Sequence, residues 1–303
     1  MVVRRLAHNL EVHAPAKLNL HLEILARRPD GFHEIETLML SVSLYDTLLF
    51  SPRSDDRVTL DCHWASGLAA QHGDSLGDIP SPERNIVYRA VELLRRAAGI
   101  RKGADIQVVK RIPSQAGLGG ASSDAAAALL AANVGWELNW SAERLAELAG
   151  QLGSDIPFFF SGGAAICRGR GEQIQSLGRV PPLHVVVVRP PEGLSTPAVY
   201  KACRPAPAPD EVGGISSAVQ RGQASEVARR LMNRLQQPAE QLSSAVVNLR
   251  EAFARTDCLG HQMSGSGSSY FGIARNARHA RRVAAQLQAL NLGLVAWGVA
   301  GAA

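Results

Sequence analysis

The clearest pattern of apolar and polar positions lies near the N-terminus, along Lys17–Ala26. Leucines and Ile24 occupy the even positions, whereas Asn19, His21 and Glu23 occupy the odd ones. Because successive side chains of a strand point to opposite faces, this period of two predicts a half-buried β-strand. The polar side of the strand would then face solvent.

Further strands are predicted throughout the first half of the chain. Pro29-Asp30-Gly31 indicates a tight turn, because glycine tolerates positive φ. The short connections favour antiparallel pairing, and the Gly-, Asp- and Ser-rich segment Ser66–Pro82 is predicted to be a loop. The additional predicted strands are Leu10–Ala14, Thr37–Ser43, Asp46–Ser51, Val58–Cys62, Ile106–Val109 and Ala164–Ile166.

Helical periodicity is strongest at Asn85–Ala98, where apolar residues recur on one face. An alanine-rich stretch, Ser122–Asn133, predicts a second helix, and Ser141 is placed to cap a third that would end at Gly153. Later helices are predicted at Ala218–Leu235, Ala239–Ala254 and Ala277–Leu290, with strands at Val185–Val188, Tyr270–Ala274 and Gly293–Val299. Strands and helices are mixed rather than strictly alternating, which is typical of the α+β class.

The 303 residues, 46% hydrophobic and 19% charged, can build a sizeable core in two domains. Pro181-Pro182 marks the predicted boundary, which gives domains at residues 1–180 and 181–303. The net charge of +5 leaves two partners open, a nucleic-acid or membrane surface and an anionic small molecule. No run of five basic residues occurs, which favours the small molecule.

The four cysteines are far apart and form no CxxC pair. This argues against a zinc site or a disulfide framework and predicts a cytoplasmic protein in a reducing compartment. No secretory signal and no apolar stretch of about 20 residues, the length of a membrane helix, is found in the sequence.

A glycine-rich loop lies between a predicted strand and a predicted helix. Its glycines let backbone N–H groups approach an anion, and the following helix points its N-terminus at the same place. The alternative is a plain turn with a helix cap. The loop is neither a Walker A motif nor a Rossmann fingerprint. The candidate phosphate-binding residues are Pro113, Ser114, Gln115, Ala116, Gly117, Leu118, Gly119, Gly120, Ala121, Ser122 and Ser123.

Three more stretches combine polar groups with an apolar setting. Lys17 and Asn19 share one side of the predicted strand, and Asp155 lies between a helix-ending glycine and an apolar run. Asp155 is either a helix cap or a catalytic carboxylate. The Gly/Ser loop Ser264–Ser269 is either a simple turn or a second loop that contacts phosphate.

Together these motifs resemble the GHMP kinase superfamily. The chain carries Pro-Ala-Lys-Leu-Asn near its N-terminus, the Pro113–Ser123 loop at one third of its length and a C-terminal Gly/Ser loop, in the order typical of the family. The resemblance implies a two-domain α+β fold. Its N-terminal domain would be like ribosomal protein S5 domain 2, and its C-terminal domain a ferredoxin-like α/β plait.

Within the superfamily, three segments resemble the branch of kinases that acts in the non-mevalonate (MEP) isoprenoid pathway. They are Asp30-Gly31-Phe32-His33, Gly153–Phe159 and Ser195–Tyr200. That branch uses ATP to phosphorylate the 2-hydroxyl of 4-diphosphocytidyl-2-C-methyl-D-erythritol. The resemblance implies an ATP-dependent kinase with an alcohol acceptor. ATP and Mg²⁺ are the implied cofactors, and no ligand for the metal is indicated beyond a guess at Ser123.

The resemblance also implies roles for individual residues. Lys17 and Asp155 would be catalytic. The acceptor would be bound by Asn19, Phe32, His33, Thr196 and Tyr200, with Phe32 and Tyr200 stacking on the cytosine and His33 bonding its edge. ATP would be bound by Asn85, Lys110, the loop Pro113–Ser123, Ser264, Gly265, Ser266 and Gly267.

The chain departs from the family at three points. Ser114-Gln115-Ala116 replaces a stretch that is often glycine-rich, Ala121 stands where glycine is common, and Phe32 replaces a tyrosine. If Ala121 had positive φ, it would strain the loop by ~1 kcal/mol.

Two rival interpretations remain at this point. One is another GHMP kinase, acting on mevalonate, homoserine or a sugar; His33 with Phe32 and Tyr200 argues against it. The other is a non-catalytic nucleotide- or RNA-binding protein of the same fold. The sequence predicts small-molecule partners, no nucleic acid and no membrane, in a monomer or homodimer.

Overall fold

Long antiparallel strands from the N-terminal half form the frame of the molecule, and the computed structural model describes residues 1–6 and 8–301. The described strands are β1 (Val2–Leu6), β2 (Asn9–Arg27), β3 (His33–Arg53), β4 (Val58–Trp64), β5 (Gly103–Lys110), β6 (Ala164–Gly169), β7 (Gln173–Ser176), β8 (Leu183–Arg189), β9 (Met232–Asn233), β10 (Gly260–Met263), β11 (Tyr270–Ala274) and β12 (Leu294–Ala300).

The described α-helices are interspersed among these strands, which confirms the predicted α+β class. They are α1 (Ser66–His72), α2 (Ile86–Ala98), α3 (Gly120–Gly135), α4 (Ala142–Gly150), α5 (Thr196–Ala202), α6 (Gly213–Gln220), α7 (Ala224–Arg229), α8 (Gln236–Leu242), α9 (Ser244–Ala254) and α10 (Ala277–Gln288). Short 3₁₀ turns occur at Gly73–Leu76, Pro82–Arg84 and Pro157–Phe160.

The described strands join into one twelve-stranded sheet. Its main path runs β1-β2-β3-β12-β8-β11-β10, with β5 and β6 also paired to β3, β4 to β5, β7 to β6 and β9 to β2. The two halves of the chain meet within this sheet at two short pairings. Strands β3 and β12 pair at Val42 and Ala300, and β2 pairs in parallel with β9 at His21–Leu22 and Met232–Asn233.

The prediction of antiparallel pairing is right for β2 with β3 and wrong for β4. Strand β4 pairs in parallel with β5, in a register that begins at Val58 and Ala104. The connection between them contains α1, the 3₁₀ turns and α2, and a crossover of that length returns the chain in the same direction. The prediction that Ser66–Pro82 is a plain loop is also wrong, because this segment contains α1 and the 3₁₀ turn Gly73–Leu76.

The prediction of a half-buried strand at Lys17–Ala26 is also wrong, because β2 is covered on both faces. Lys17, Asn19, His21 and Glu23 are all buried. Arg234 of the C-terminal half covers Glu23, which it binds through two nitrogens at 2.6 and 2.7 Å. Lys17 packs against Gly119 of the glycine loop. The polar side of β2 is therefore buried, and part of it contacts the C-terminal half of the chain.

Helix boundaries follow the predicted caps more closely than the predicted lengths. The side chain of Asn85 caps α2 by accepting from the Val87 N–H at 3.0 Å, and Ser141 caps α4 as predicted. Helix α4 ends at Gly150 rather than Gly153. Helix α3 begins at Gly120, two residues before the predicted Ser122.

The two long helices predicted after residue 218 are broken into shorter pieces. Helix α6 ends before Gly222, whose φ of +67° leaves the helical region, and β9 follows α7. Helices α8 and α9 are separated at Ser243, which is extended with φ −148°. No helix of the described residues is long and apolar enough to cross a membrane.

Candidate active site

The glycine loop ends in the N-terminus of α3 and forms one wall of a cavity of about 480 Å³. Gly119 is the cap of this helix, with φ +68°, and provides no side-chain cap. The first backbone N–H groups of the helix are therefore free to bind an anion, and the positive end of its dipole lies at the same place. Gly120, Ala121 and Ser122 line the cavity.

The departures of the loop from the family pattern have different consequences. Ala121 lies inside α3 and is not among the residues with positive φ, so the strain considered for it is absent. The non-glycine residue of the loop that has a left-handed backbone conformation is Gln115, with φ +51°. A non-glycine residue in this region costs about 1 kcal/mol, which the surrounding loop must offset.

The N-terminal and C-terminal loops are in direct contact. The Ser264 hydroxyl donates to the Gly117 carbonyl at 3.0 Å, and the Ser269 N–H donates to the Ala116 carbonyl at 3.1 Å. A Cβ atom on Gly117 would lie 2.1 Å from the Ser264 carbonyl oxygen. Glycine is therefore required at position 117, because only it permits the approach of the two loops.

Lys17 and Asp155 meet at the floor of the cavity, with 3.6 Å between Lys17 Nζ and Asp155 Oδ2. The lysine side chain is buried, whereas the carboxylate is 39% exposed and faces the cavity. Such a pair provides a proton acceptor that is open to a ligand and a fixed positive charge beside it.

A chain of hydrogen bonds holds Lys17 in place. Lys17 Nζ donates to Asn19 Oδ1 at 2.6 Å, and Asn19 Nδ2 donates to the Thr37 hydroxyl at 2.8 Å. Thr37 in turn donates to the His21 carbonyl at 2.6 Å. Thr37 also lines the cavity. It was not predicted as a site residue, because in the sequence it is one of several polar residues on a strand.

Lys110 lies beneath the loop, between two carboxylates. Its Nζ donates to Asp46 and, at 2.5 Å, to Asp124, and Asp46 also accepts the backbone N–H of Ile112 at 2.8 Å. Burial raises the pKa of Asp124 to about 8, despite the opposing effect of Lys110. Burial lowers the pKa of Lys110, but the two carboxylates outweigh it and the net shift is upward. This triad anchors the strand end from which the loop starts.

A second cavity, of about 530 Å³, adjoins the first. It contains the predicted cytosine-binding residues Phe32, His33 and Tyr200, and the rings of His33 and Tyr200 lie 5.3 Å apart. Burial, followed by the charge of Arg27, lowers the pKa of His33, so its imidazole is neutral at pH 7. A neutral imidazole can both donate and accept a hydrogen bond.

The predicted site residues are therefore brought together with few exceptions. Thr196 lines both cavities and its hydroxyl lies 2.8 Å from that of Ser266. Those that line neither of these two cavities are Asn85, Leu118, Ser123, Ser264 and Gly267. Asn85 uses its side-chain oxygen as a helix cap, and the Leu118 carbonyl accepts the Lys17 N–H at 2.9 Å.

A third cavity, of about 480 Å³, lies behind the loop and opens where β3 and β12 diverge. It is lined by His13, Tyr45, Arg111 and Arg189, among others, and contains neither Lys17 nor Asp155. The chemistry described above therefore belongs to the first two cavities.

Two family models match the chain. Residues 85–163 match the GHMP kinases N terminal domain, and residues 215–291 match the GHMP kinases C terminal. The matched segments contain the glycine loop, Asp155 and the Ser264–Ser269 loop.

Curated relatives cover most of the chain. The 4-diphosphocytidyl-2-C-methyl-D-erythritol kinase of Pelotomaculum thermopropionicum is 42% identical over 90% of this chain and 92% of its own. The enzyme of the same name from Shouchella clausii is 37% identical over 90% of this chain and 88% of its own.

Solved structures extend the comparison. A crystal structure of 4-(cytidine 5'-diphospho)-2C-methyl-D-erythritol kinase has a TM-score of 0.78 at 38% identity and covers 96% of this chain and 99% of its own. Homoserine kinase from Cytophaga hutchinsonii has a TM-score of 0.74 at 18% identity and covers 99% of this chain and 98% of its own. The latter likeness shows the fold alone.

Proposed function

We infer that this chain, which belongs to the 4-diphosphocytidyl-2-C-methyl-D-erythritol kinases of the GHMP kinase family, transfers the γ-phosphoryl group of ATP to the 2-hydroxyl of 4-diphosphocytidyl-2-C-methyl-D-erythritol. The family, the two-domain α+β fold and the kinase activity expected from the sequence motifs are confirmed. The rival mevalonate or homoserine kinase has no support, because such structures are similar only in fold.

The observation that carries the assignment of the reaction centre is the contact between Lys17 and Asp155. It lies where the two cavities meet, since Asp155 lines both of them. A phosphoryl donor in the first cavity and a cytidine in the second would place the acceptor hydroxyl between them. In this arrangement the pair is within reach of both reactants.

The chemistry follows from these positions. The phosphates of ATP would bind the free N–H groups at the N-terminus of α3, with the loop Pro113–Ser123 on one side and Gly265 and Ser266 on the other. Asp155 would accept the proton of the acceptor hydroxyl as its oxygen attacks the γ-phosphorus. Lys17 would stabilise the negative charge on the transferring group. Phosphoryl transfer needs mainly such alignment and charge stabilisation.

The second cavity would bind the cytosine of the acceptor. Phe32 is 51% exposed and lines this cavity together with Tyr200, whose ring lies beside that of His33. The cytosine would stack between these rings and form hydrogen bonds with His33 along its edge. Asn19 and Thr196 would orient the erythritol near Asp155. Replacement of the usual tyrosine by Phe32 keeps the stacking face and loses one hydroxyl.

Mg²⁺ is proposed to accompany ATP, where it would neutralise charge on the phosphates. The hydroxyl of Ser123 lies in the first turn of α3 and has no hydrogen-bond partner among the described residues, but it is fully buried and does not line the cavity, so no protein ligand of the metal is assigned. Asn85 and Lys110 are proposed to lie near the nucleotide.

The boundary between the two domains is proposed at Pro181-Pro182, which gives residues 1–180 and 181–303. The two matched family segments lie on opposite sides of it, which supports this division. A cytoplasmic location is likewise proposed, supported by four cysteines that are all free. The monomeric or homodimeric state stays a prediction.

The decisive experiment measures ADP release with three acceptors, namely 4-diphosphocytidyl-2-C-methyl-D-erythritol, mevalonate and homoserine. We expect turnover with the first alone, because only it carries the base that the second cavity is suited to stack. Turnover of mevalonate or homoserine without the cytidine substrate would contradict the proposed function.

A further inference from the structure

Arg170 lies in the wall that separates the two cavities. The described residues that line both are Ile35, Asp155, Arg170, Thr196 and Tyr200. Among these five, Arg170 is the only cation. A ligand that extends from the aromatic pocket to Asp155 has to pass this wall.

The hairpin between β6 and β7 presents Arg170 at its tip. The flanking residues Gly169 and Gly171 have φ of +73° and +118°, which only glycine adopts without strain. A Cβ atom on Gly171 would lie 3.6 Å from Ser154 and 3.7 Å from the Asp155 carboxylate. The tip is therefore packed against the segment that carries the catalytic carboxylate.

The guanidinium N–H groups of Arg170 are available to bind a ligand. Its nearest acidic group is Glu172, with 3.9 Å between Arg170 Nε and Glu172 Oε2, and that oxygen already accepts the Arg170 backbone N–H at 2.7 Å. No side-chain hydrogen bond of Arg170 is found within the described part of the chain. Arg168, on the same hairpin, instead donates to Glu36 and Gln175, both at 2.8 Å.

A neighbouring aromatic ring supports the guanidinium. Arg170 Cζ lies 4.9 Å from the centroid of Phe32, within the range of a cation–π contact. The second cavity also contains Arg27 and Lys201, with Asp155 as its one carboxylate among the described lining residues. Three cations and one carboxylate therefore line this cavity, which favours an anionic ligand.

We propose that Arg170 binds the diphosphate that joins the cytidine of the acceptor to its methylerythritol and thereby selects for a nucleoside diphosphate. The inference rests on the proposed function, since it takes the cytosine to lie at Phe32 and Tyr200 and the hydroxyl at Asp155. The diphosphate between them then crosses the wall at Arg170. A guanidinium matches two phosphate oxygens at once, which a lysine cannot do.

Ligand binding separates this role from general support of the pocket. Isothermal titration calorimetry would measure cytidine, CMP and CDP with the wild type, Arg170→Gln, Arg170→Lys and the hairpin control Arg168→Gln. We expect Arg170→Gln to weaken CDP by roughly 10- to 100-fold, as for loss of a charged hydrogen bond, and to leave cytidine within about twofold. Arg170→Lys should lie between, and Arg168→Gln should keep the wild-type ratio.

Turnover provides the second readout. Arg170→Gln should raise KM for the diphosphocytidyl acceptor and largely keep kcat, because the lost contact is made equally in the ground and transition states. An unchanged preference for CDP over cytidine, an equal loss of both ligands, or a loss confined to kcat would each overturn the role of Arg170. Failure of the wild type to bind any cytidine ligand would instead contradict the proposed function.

Discussion

The side chain of Lys17 passes directly over Gly119, the residue that caps α3. A Cβ atom at position 119 would lie 2.9 Å from Lys17 Cγ and 3.2 Å from Lys17 Cε. Lys17 and the glycine loop are therefore packed at a distance that only a glycine allows. The position of the lysine is set by the backbone of the loop as well as by Asn19 and Asp155.

Substitution Gly119→Ala tests this packing. The new methyl group would displace Lys17, and the left-handed φ of +68° would cost roughly 1–2 kcal/mol of stability. We expect kcat to fall at least tenfold, which corresponds to roughly 1.4 kcal/mol. Gly162→Ala is a matched control, because its φ is +86° and no atom lies within 4 Å of the new Cβ. Equal loss of kcat in both variants would refute the packing argument.

Replacement of Asp155 by Asn removes the proton acceptor and preserves the shape of the side chain. Loss of a general base lowers kcat by roughly 10²–10⁴-fold, and ATP should still bind because the phosphate loop is untouched. Steady-state kinetics and nucleotide titration would measure the two quantities. The exposed carboxylate of Asp61, which lines neither cavity, provides the control Asp61→Asn. Near-wild-type kcat in Asp155→Asn would remove Asp155 from the mechanism.

Thr37→Val tests the hydrogen-bond chain behind Lys17. The valine keeps the volume but leaves Asn19 without its acceptor and the His21 carbonyl without its donor. Buried polar groups without partners cost about 1–3 kcal/mol of unfolding free energy, and a looser Lys17 should lower kcat about tenfold. Thr37→Ser keeps the hydroxyl and should restore both. Denaturation curves and kinetics of the two variants would decide, and a kcat loss shared by the serine variant would count against this chain.

The Lys110–Asp46–Asp124 triad makes stability depend on pH. The pKa of Asp124 is raised from 3.8 to about 8 in the folded protein, so the folded state holds a proton that the unfolded state releases. The stabilisation from this proton is complete below about pH 4 and is lost as pH rises towards 8. Urea unfolding at pH 5 and pH 8 should therefore show a smaller difference in free energy for Asp124→Asn than for the wild type. Parallel pH profiles for the two proteins would exclude Asp124 as the group responsible.

The strands and glycine loops could be predicted from the sequence because local rules determine them. The period of two from Leu18 onwards indicates a strand, and Gly117 and Gly119 mark a loop that needs positive φ. The burial of Lys17 and Glu23 could not be predicted, since the residues that cover them lie more than 100 positions away along the chain. The role of Asp46 could not be predicted either, because its partner Lys110 lies 64 residues away along the chain.

Arg170 illustrates the limit for the site itself. In the sequence it is one arginine in the polar turn Arg168–Glu172 and carries no sign of function. Its importance arises from the shape of the hairpin, which brings it between Phe32 and Asp155. Family motifs indicated Lys17 and Asp155 as candidates, but a residue defined by its place in a cavity needs coordinates to be recognised.

The contact between Gly117 and Ser264 has a consequence for the order of folding. It joins residues that lie 147 positions apart in sequence, and Lys17 reaches as far as Gly265. Contacts of such large separation form slowly, because a long loop of chain must be closed first. During refolding, secondary structure should therefore recover before catalysis, and a nascent chain can complete this site only after Gly265 has been synthesised.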